Sequence, residues 1–104
     1  MTSIERIRSQ AREGEIQFTL HANEEMVAEG ISLKDVLETL ESAELLEDYP
    51  EHRRGACCLV GGKTKAGRPL HVVCTSDRPI LIVITVYEPK PPKWLSPSQR
   101  RPRP

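Results

Sequence analysis

The stretch GRPLHVVCTSDRPILIVITVY, residues 67–87, carries the strongest structural signal in this chain. It contains two runs rich in valine, isoleucine and threonine, residues 70–75 and 80–87, and β-branched residues favour β-strands. Between these runs, Ser76-Asp77-Arg78-Pro79 has the composition of a turn. A connection this short favours antiparallel strands, so a sheet is predicted for the second half of the chain.

The first half of the chain has the periodicity of helices. Apolar residues recur there every three or four positions, and glycines or capping residues stand at the ends of the runs. The predicted helices span residues 3–13, 21–29 and 33–42. Met26 and Val27 are predicted to turn inward from the second helix, and residues 16–20 to form a strand or an extended link.

Helices followed by strands predict an α+β domain. With further strands expected at 44–49 and 56–60, and a loop at 61–67, the N-terminal helices are predicted to pack on a C-terminal antiparallel sheet of about four strands. A chain of 104 residues fits a single domain, which we place at residues 1–95. Residues 96–104, SPSQRRPRP, are predicted to be a disordered, basic, proline-rich tail.

Charge divides the chain in two, although its formal net charge is zero. Residues 1–51 carry 13 acidic and 4 basic side chains, whereas residues 52–104 carry 2 acidic and 11 basic ones. The basic half points to a polyanionic partner; attraction between the two halves within the fold is the structural alternative. Because the sequence shows neither a membrane-spanning apolar run nor a secretory signal, we expect a cytoplasmic protein with reduced cysteines and no membrane contact.

His71 stands between two apolar residues of a predicted strand. Alternation places His71 and Val73 on one face and Leu70 and Val72 on the other. If residues 70–87 form a hairpin, several polar side chains converge with the histidine at one end of that face. The predicted cluster is His71, Thr85, Tyr87 and Arg68. The apolar floor beside it is predicted to be Val73, Leu81 and Val83.

An imidazole, a guanidinium, a phenol and a hydroxyl, with no carboxylate among them, suit a phosphodiester. Metal-free cleavage of RNA needs a group that takes the 2′-hydroxyl proton, cations that hold the phosphate, and an acid for the leaving oxygen. His71 is a candidate base or acid, because an unshifted imidazole titrates near neutral pH. Arg68, with Arg53 or Arg54, is a candidate phosphate ligand, and Tyr87 could stack on a base or pass a proton.

Other interpretations of these residues stay open. His71 is also compatible with a hydrogen-bonded core residue, and Tyr87 with a residue that closes the core. His21, in the first turn of a helix, is either a neutral contact group near the site or a packing residue. We expect no metal and no cofactor, since Cys57 and Cys58 are adjacent and point to opposite faces of a strand.

Four motifs follow one another between Phe18 and Trp94: FTLHANEEMVAEGIS, LLEDYPEHRRGACCLVGG, GRPLHVVC and ITVYEPKPPKW. Together they resemble the bacterial proteins grouped as domain-of-unknown-function family 4258. That family is similar in fold to RelE-type and MqsR-type toxins, small α+β proteins that cut messenger RNA without a metal and are neutralised by a protein antitoxin encoded beside them.

The resemblance implies a ribonuclease toxin of a toxin–antitoxin pair, or a relative without activity. RNA is then the substrate, a protein antitoxin the partner, and dependence on a ribosome contact is left open. The sheet face, the tail and the loop residues Lys63 and Lys65 would meet the RNA. The residues that the motifs carry over are His21, Arg54, Arg68, His71, Thr85 and Tyr87.

Two non-enzymatic functions are the alternatives. The first is a nucleic-acid or partner-binding module with the same fold. The second is a helix-turn-helix DNA reader built on the tight Gly30-Ile31-Ser32 connection. Acidic residues predominate in its would-be recognition helix, and acid repels phosphate, which argues against the DNA reader.

Overall fold

The computed structural model describes residues 3–51, 53, 55–91 and 94–100, and only the backbone of Leu95. The helices and strands of these residues are α1 (Ser3–Arg12), β1 (Ile16–Phe18), α2 (Leu20–Glu29), α3 (Leu33–Glu41), β2 (Glu44–Tyr49), β3 (Cys57–Lys63), β4 (Pro69–Thr75), β5 (Leu81–Tyr87), β6 (Trp94–Ser96) and β7 (Gln99–Arg100). Each helix in this part of the chain is too short to cross a lipid bilayer.

Strands β1 to β5 form one mixed sheet in the order β1-β5-β4-β3-β2. Neighbouring strands from β2 to β5 are antiparallel, whereas β1 lies parallel to β5. The α+β class is confirmed, and so is the packing of N-terminal helices on the sheet. The expectation of about four antiparallel strands is wrong, because β1 adds a parallel edge strand. A segment of three residues is too short for alternation to separate a strand from an extended link.

Capping residues set the helix ends as the sequence predicts. Thr19 accepts a hydrogen bond from the backbone at the start of α2, and Gly30 ends that helix in the left-handed conformation, with a φ of 66°. Ser32 and Asp35 form a reciprocal capping box at the start of α3. The sharp turn at Gly30 therefore brings α3 back across the same sheet face as α2.

All three helices cover one face of the sheet, and the hydrophobic core lies between these two layers. The buried core residues include Ile7, Met26, Val36, Leu40, Val60, Leu70, Val72, Leu81, Val83 and Val86. Met26 lies in this core as predicted, but Val27 is 84% exposed. Successive helical residues point about 100° apart, and Val27 falls on the solvent side of α2.

A β-bulge in β5 changes which residues share the face of His71. Val73 pairs with Thr85 but Cys74 pairs with Val83, so Ile84 is an extra residue in β5. Leu81 and Val83 consequently belong to the helix-covered core. The sequence-based prediction that they form an apolar floor beside His71 is therefore wrong. Thr85 and Tyr87, beyond the bulge, stay on the face of His71.

The predicted loop at residues 61–67 is shorter in the structure, because Gly61 and Gly62 continue β3 and pair with β4. A Cβ atom on Gly62 would lie 2.4 Å from the backbone oxygen of Thr39. Glycine at this position therefore lets α3 approach the strand closely. The turn itself spans residues 64–68, where the backbone N–H of Thr64 donates to the Arg68 oxygen at 2.9 Å.

Candidate functional site

His71 lies on the sheet face that the helices leave uncovered, and it is nevertheless 1% exposed. Its Nδ1 atom lies 3.1 Å from the Tyr87 hydroxyl oxygen, directly across the β4–β5 ladder. Its Nε2 atom forms a hydrogen bond with the backbone oxygen of Pro97. The Trp94 ring meets the imidazole edge-on, with 4.3 Å between ring centroids. His71 is thus enclosed between the sheet and the C-terminal segment.

The partners of His71 determine where its proton lies. A backbone carbonyl can only accept, so Nε2 carries a hydrogen and donates it to Pro97. In the neutral ring Nδ1 then accepts from the Tyr87 hydroxyl. Burial raises the pKa of Tyr87, which keeps that hydroxyl protonated and able to donate. Because a hydroxyl can also accept, Tyr87 suits the other imidazole tautomer equally well.

The C-terminal hairpin, residues 94–100, covers this histidine. Its strands β6 and β7 pair with each other in a separate two-stranded sheet. The hairpin contains Trp94, which is buried, and Arg100, whose guanidinium carbon lies 4.9 Å from the centroid of the Trp94 ring. Residues 96–100, which the sequence assigns to the tail, thus take part in a hairpin. Residues 101–104 lie outside the described residues, and the domain limits stay a prediction.

Glu47 ties the hairpin to the main sheet. Its carboxylate accepts two hydrogen bonds from Arg100, at 2.7 and 2.8 Å, and one from the Tyr49 hydroxyl. Burial, together with the Glu47 carboxylate, raises the pKa of Tyr49 to about 12, and the hydrogen bond to Glu47 raises the pKa of Arg100. The ion pair therefore holds the open end of the hairpin, where Trp94 pairs with Arg100, while Pro97 contacts His71 at the turn.

A cavity of about 430 Å³ opens beside His71. Small residues and a few charged ones line it: Ser42, Glu44, Leu46, Gly61, Gly62, Lys63, His71, Ser96, Pro97 and Ser98. Gly61 pairs with His71 across β3 and β4, and a Cβ atom on it would lie 3.2 Å from the imidazole Cδ2. Glycine therefore leaves room both for the ring and for the cavity.

Lys63 connects this cavity to a larger groove on the helical side. The groove, about 930 Å³, is lined by α1, α3 and the turn after β3, and it includes Lys63 and Lys65. Both lysines are exposed. Their backbone N–H groups are held by α3 or its end, at 3.1 Å from the Ser42 hydroxyl and 3.0 Å from a Glu38 carboxylate oxygen. The two predicted RNA-binding lysines thus lie together along the groove, on a turn whose backbone is hydrogen-bonded to Ser42 and Glu38.

Arg68 is not part of the histidine cluster. Its Nε donates to Glu88 at 2.7 Å, while Nη1 and Nη2 donate to the backbone oxygens of Gly30 and Glu29 at 3.2 and 2.8 Å. The last carbonyls of a helix have no partner within the helix, so a nearby guanidinium is a favourable donor there. Arg68 therefore fastens the end of α2 to the sheet instead of pointing toward His71.

The remaining predicted site residues are spread over the molecule. Thr85 shares the face of His71, two positions from Tyr87 along β5. His21 is exposed on α2, on the other side of the sheet, with Nε2 3.3 Å from a Glu25 oxygen. Arg53 is exposed beside the turn before β3, and Arg54 lies outside the described residues. Of the predicted cluster, the structure joins His71 and Tyr87, with Thr85 nearby.

Sequence reasoning missed Glu47, Trp94 and Arg100 as site residues. A signal for Glu47 was available, because alternation in ELLEDY places Glu47 and Tyr49 on one face of β2. Arg100 carried no such signal, since its partner lies 53 residues away in the chain. The cysteines of the described residues are free and buried, and no three histidine, cysteine or acidic side chains within this part of the chain meet as metal ligands would.

Comparison with known proteins identifies one family. The family described as "Domain of unknown function (DUF4258)" matches residues 18–88, from the last residue of β1 to the residue after β5. No curated protein and no solved structure gives a significant match to the chain. The family match spans more than half of the chain, which therefore belongs to the DUF4258 family.

Proposed function

We propose that this protein is a metal-independent endoribonuclease, with a RelE-like fold, that acts as the toxin of a toxin–antitoxin pair. The observation that carries the proposal is the His71–Tyr87 pair, in which one imidazole nitrogen faces a phenol and the other faces an oxygen atom at the edge of a cavity. An imidazole held in this way can exchange a proton with an oxygen of RNA.

In this mechanism His71 acts as the base. Once an RNA 2′-hydroxyl replaces the Pro97 oxygen, Nε2 takes its proton and Nδ1–H donates to the Tyr87 oxygen. The 2′-oxygen then bonds to the adjacent phosphorus, the bond from phosphorus to the 5′-oxygen breaks, and the leaving oxygen takes a proton from water. The product ends in a 2′,3′-cyclic phosphate. Tyr87 serves as a positioning residue, because its hydroxyl supports the tautomer that the base needs.

Lys63 is the cation best placed to hold the phosphate, since it lines the cavity beside His71. The exposed Lys65, two residues after Lys63, extends this basic surface, whereas the exposed Arg53 precedes the opposite end of β3. Arg68 is engaged at the end of α2, so we assign it no role in the reaction. Binding through these cations should weaken steeply as salt rises, because phosphate contacts release counterions.

The resemblance to RelE-type and MqsR-type toxins supports the partner assignments. A protein antitoxin that covers the RNA surface is the partner we propose, and a contact with the ribosome would supply the substrate in a ribosome-dependent enzyme. The strongly acidic first half of the chain favours a basic surface on such a partner.

A specific observation also favours the second candidate, a non-catalytic module that binds nucleic acid or a protein. His71 is buried and hydrogen-bonded on both ring nitrogens, as a structural histidine would be. In that function Lys63 and Lys65 would still bind RNA, and the imidazole would only support the sheet face.

The test is cleavage of end-labelled RNA in EDTA, with the wild-type protein, His71→Ala and, as a control, Glu24→Gln at an exposed position of α2. Fragments ending in 2′,3′-cyclic phosphate from the wild type and the control, but not from His71→Ala, would support the enzyme. Thermal unfolding of each variant shows whether His71→Ala is folded; if it is not, cleavage about tenfold slower in Tyr87→Phe than in the wild type is the result expected of the enzyme. RNA binding without cleavage, on free RNA and on translating ribosomes, would support the binding module.

A further inference from the structure

The C-terminal hairpin contacts the main sheet at His71 and at Glu47. Within the described residues, β6 and β7 pair with each other and not with the five-stranded sheet. The connection from β5 to the hairpin has the sequence EPKPPK, residues 88–93, and three of its six residues are proline. The hairpin also lies beyond residue 88, where the family match ends.

At one end of the hairpin, Pro97 occupies the position that a substrate oxygen must take. Its carbonyl oxygen accepts the hydrogen of His71 Nε2, and the Trp94 ring packs against the imidazole edge. The proposed base cannot reach a 2′-hydroxyl while this contact persists. His71 is 1% exposed in this arrangement, so access requires the hairpin to move.

At the open end of the hairpin, beside Trp94, an ion pair joins Arg100 to Glu47 on the main sheet. Arg100 donates two hydrogen bonds to Glu47, and both side chains stay partly exposed, with relative exposures of 22% and 27%. A partly exposed pair is accessible to competing ions, and an RNA phosphate offers a guanidinium the same bidentate geometry as a carboxylate. RNA could therefore replace Glu47 as the partner of Arg100 while it replaces Pro97 as the partner of His71.

We propose that residues 94–100 are an autoinhibitory lid over His71, held shut by the Glu47–Arg100 ion pair. The identity of the ligand that the lid excludes, RNA, rests on the function proposed above. The lid itself does not, because its opening can be measured without RNA. Loss of the ion pair should raise the fraction of molecules in which His71 and Trp94 are exposed to solvent.

The experiment measures the rate at which diethyl pyrocarbonate modifies His71, by mass spectrometry of the peptides. His21, exposed on α2, is the internal reference in the same chain. The variant is Glu47→Gln, which keeps the side-chain size but removes the charge. The matched control is Glu41→Gln, which breaks the Arg12–Glu41 pair away from the hairpin. Acrylamide quenching of Trp94, the single tryptophan, gives a second measurement of opening.

We expect slow modification of His71 relative to His21 in the wild type and in Glu41→Gln. In Glu47→Gln the His71 rate should rise about tenfold, equivalent to about 1.4 kcal/mol, and Trp94 should be quenched more readily. An unchanged His71 rate and unchanged quenching in Glu47→Gln would overturn the lid. If Glu47→Gln unfolds, Arg100→Gln removes the same ion pair from the hairpin side and decides the question by the same two measurements.

RNA cleavage by the same proteins separates the lid from the enzyme. If Glu47→Gln exposes His71 and raises kcat/KM for RNA by a similar factor, both proposals are supported. If it exposes His71 but no protein cleaves RNA, the lid stands and the nuclease fails. If the wild type cleaves RNA and Glu47→Gln changes neither His71 exposure nor cleavage, the nuclease stands and the lid fails.

Discussion

Glu47 and Arg100 join two separate sheets: the carboxylate on β2 accepts both hydrogen bonds of the guanidinium on β7, at 2.7 and 2.8 Å. The same carboxylate accepts the hydroxyl of Tyr49. One acidic side chain therefore links the edge strand of the main sheet, the C-terminal hairpin and a tyrosine. The stability of this end of the molecule should depend on the charge states of all three groups.

Tyr49 makes the fold sensitive to alkali. The pKa of Tyr49 is raised from about 10 to about 12 by burial and by Glu47, so the folded state holds its phenolic proton more tightly than the unfolded chain does. Its contribution to the free energy of unfolding is fully present below about pH 10 and is lost as the pH rises through about 12. Urea unfolding across this range, with tyrosinate absorbance recorded in parallel, measures the effect.

Tyr49→Phe is the control for that titration, because it keeps the ring and removes the ionisable group. Its stability should fall less between pH 10 and pH 12 than that of the wild type. Tyr87, whose pKa burial also raises, will contribute to both curves. Identical curves for the two proteins would show that the Tyr49 pKa is not raised in the folded state.

The two glycines of β3 should differ in their tolerance of alanine. A Cβ atom on Gly62 would lie 2.4 Å from the backbone oxygen of Thr39, whereas one on Gly61 would meet side-chain atoms of Leu46 and His71 at 2.8 and 3.2 Å. Side chains can rotate away but the backbone of α3 cannot. We expect Gly61→Ala to lower the free energy of unfolding by about 1–3 kcal/mol, and Gly62→Ala to lower it further.

Chemical denaturation of the two glycine variants under the same conditions provides the measurement. The reverse order of stability would mean that Leu46 and His71 are packed more rigidly than α3. Gly61→Ala should also alter the environment of His71, which its imidazole NMR signals would report. No change in those signals would contradict the close approach of Gly61 to the imidazole.

Strand alternation in the sequence was enough to place His71 and Tyr87 on one face of the sheet, and capping residues were enough to place the helices. The β5 bulge could not be predicted, since Ile84 resembles its neighbours and the extra residue shows only in the pairing. Leu81 and Val83 were therefore assigned to the wrong face. Alternation along a strand predicts which residues share a face only while every residue is paired. One extra residue moves all residues on one side of it to the opposite face.

Partners that are distant in the sequence account for the remaining differences between the predicted and the observed site. Composition alone makes residues 96–104 look like a tail, because the sequence does not show that Arg100 reaches Glu47, 53 residues away. Arg68 likewise looks free for a phosphate until the end of α2 lies beside it, 38 and 39 residues away in the chain. Charged side chains near a predicted site are thus ambiguous until their intramolecular partners are known.

Arg68 should behave as a structural residue. Its guanidinium joins Glu88 to the carbonyls of Glu29 and Gly30 at the end of α2, so Arg68→Ala should lower the free energy of unfolding by about 2 kcal/mol. Arg68→Lys should not restore it, because an ammonium cannot reproduce three directed hydrogen bonds from one plane. Lys65→Ala, which removes an exposed cation nearby, should change stability by no more than about 0.5 kcal/mol. Equal small effects of all three changes would return Arg68 to the phosphate-binding candidates.

Tyr87→Phe tests whether the Tyr87 hydroxyl positions His71 for the reaction. The change keeps the ring, whose centroid lies 5.2 Å from that of the imidazole, and removes the hydroxyl 3.1 Å from Nδ1. We expect kcat for RNA cleavage to fall about tenfold, or about 1.4 kcal/mol in the barrier, because the hydrogen bond that orients the imidazole and accepts from Nδ1–H in the basic tautomer is lost. KM should stay unchanged, since the hydroxyl does not hold the phosphate. A rise in KM at constant kcat would instead place Tyr87 in substrate binding, as a residue on which an RNA base stacks.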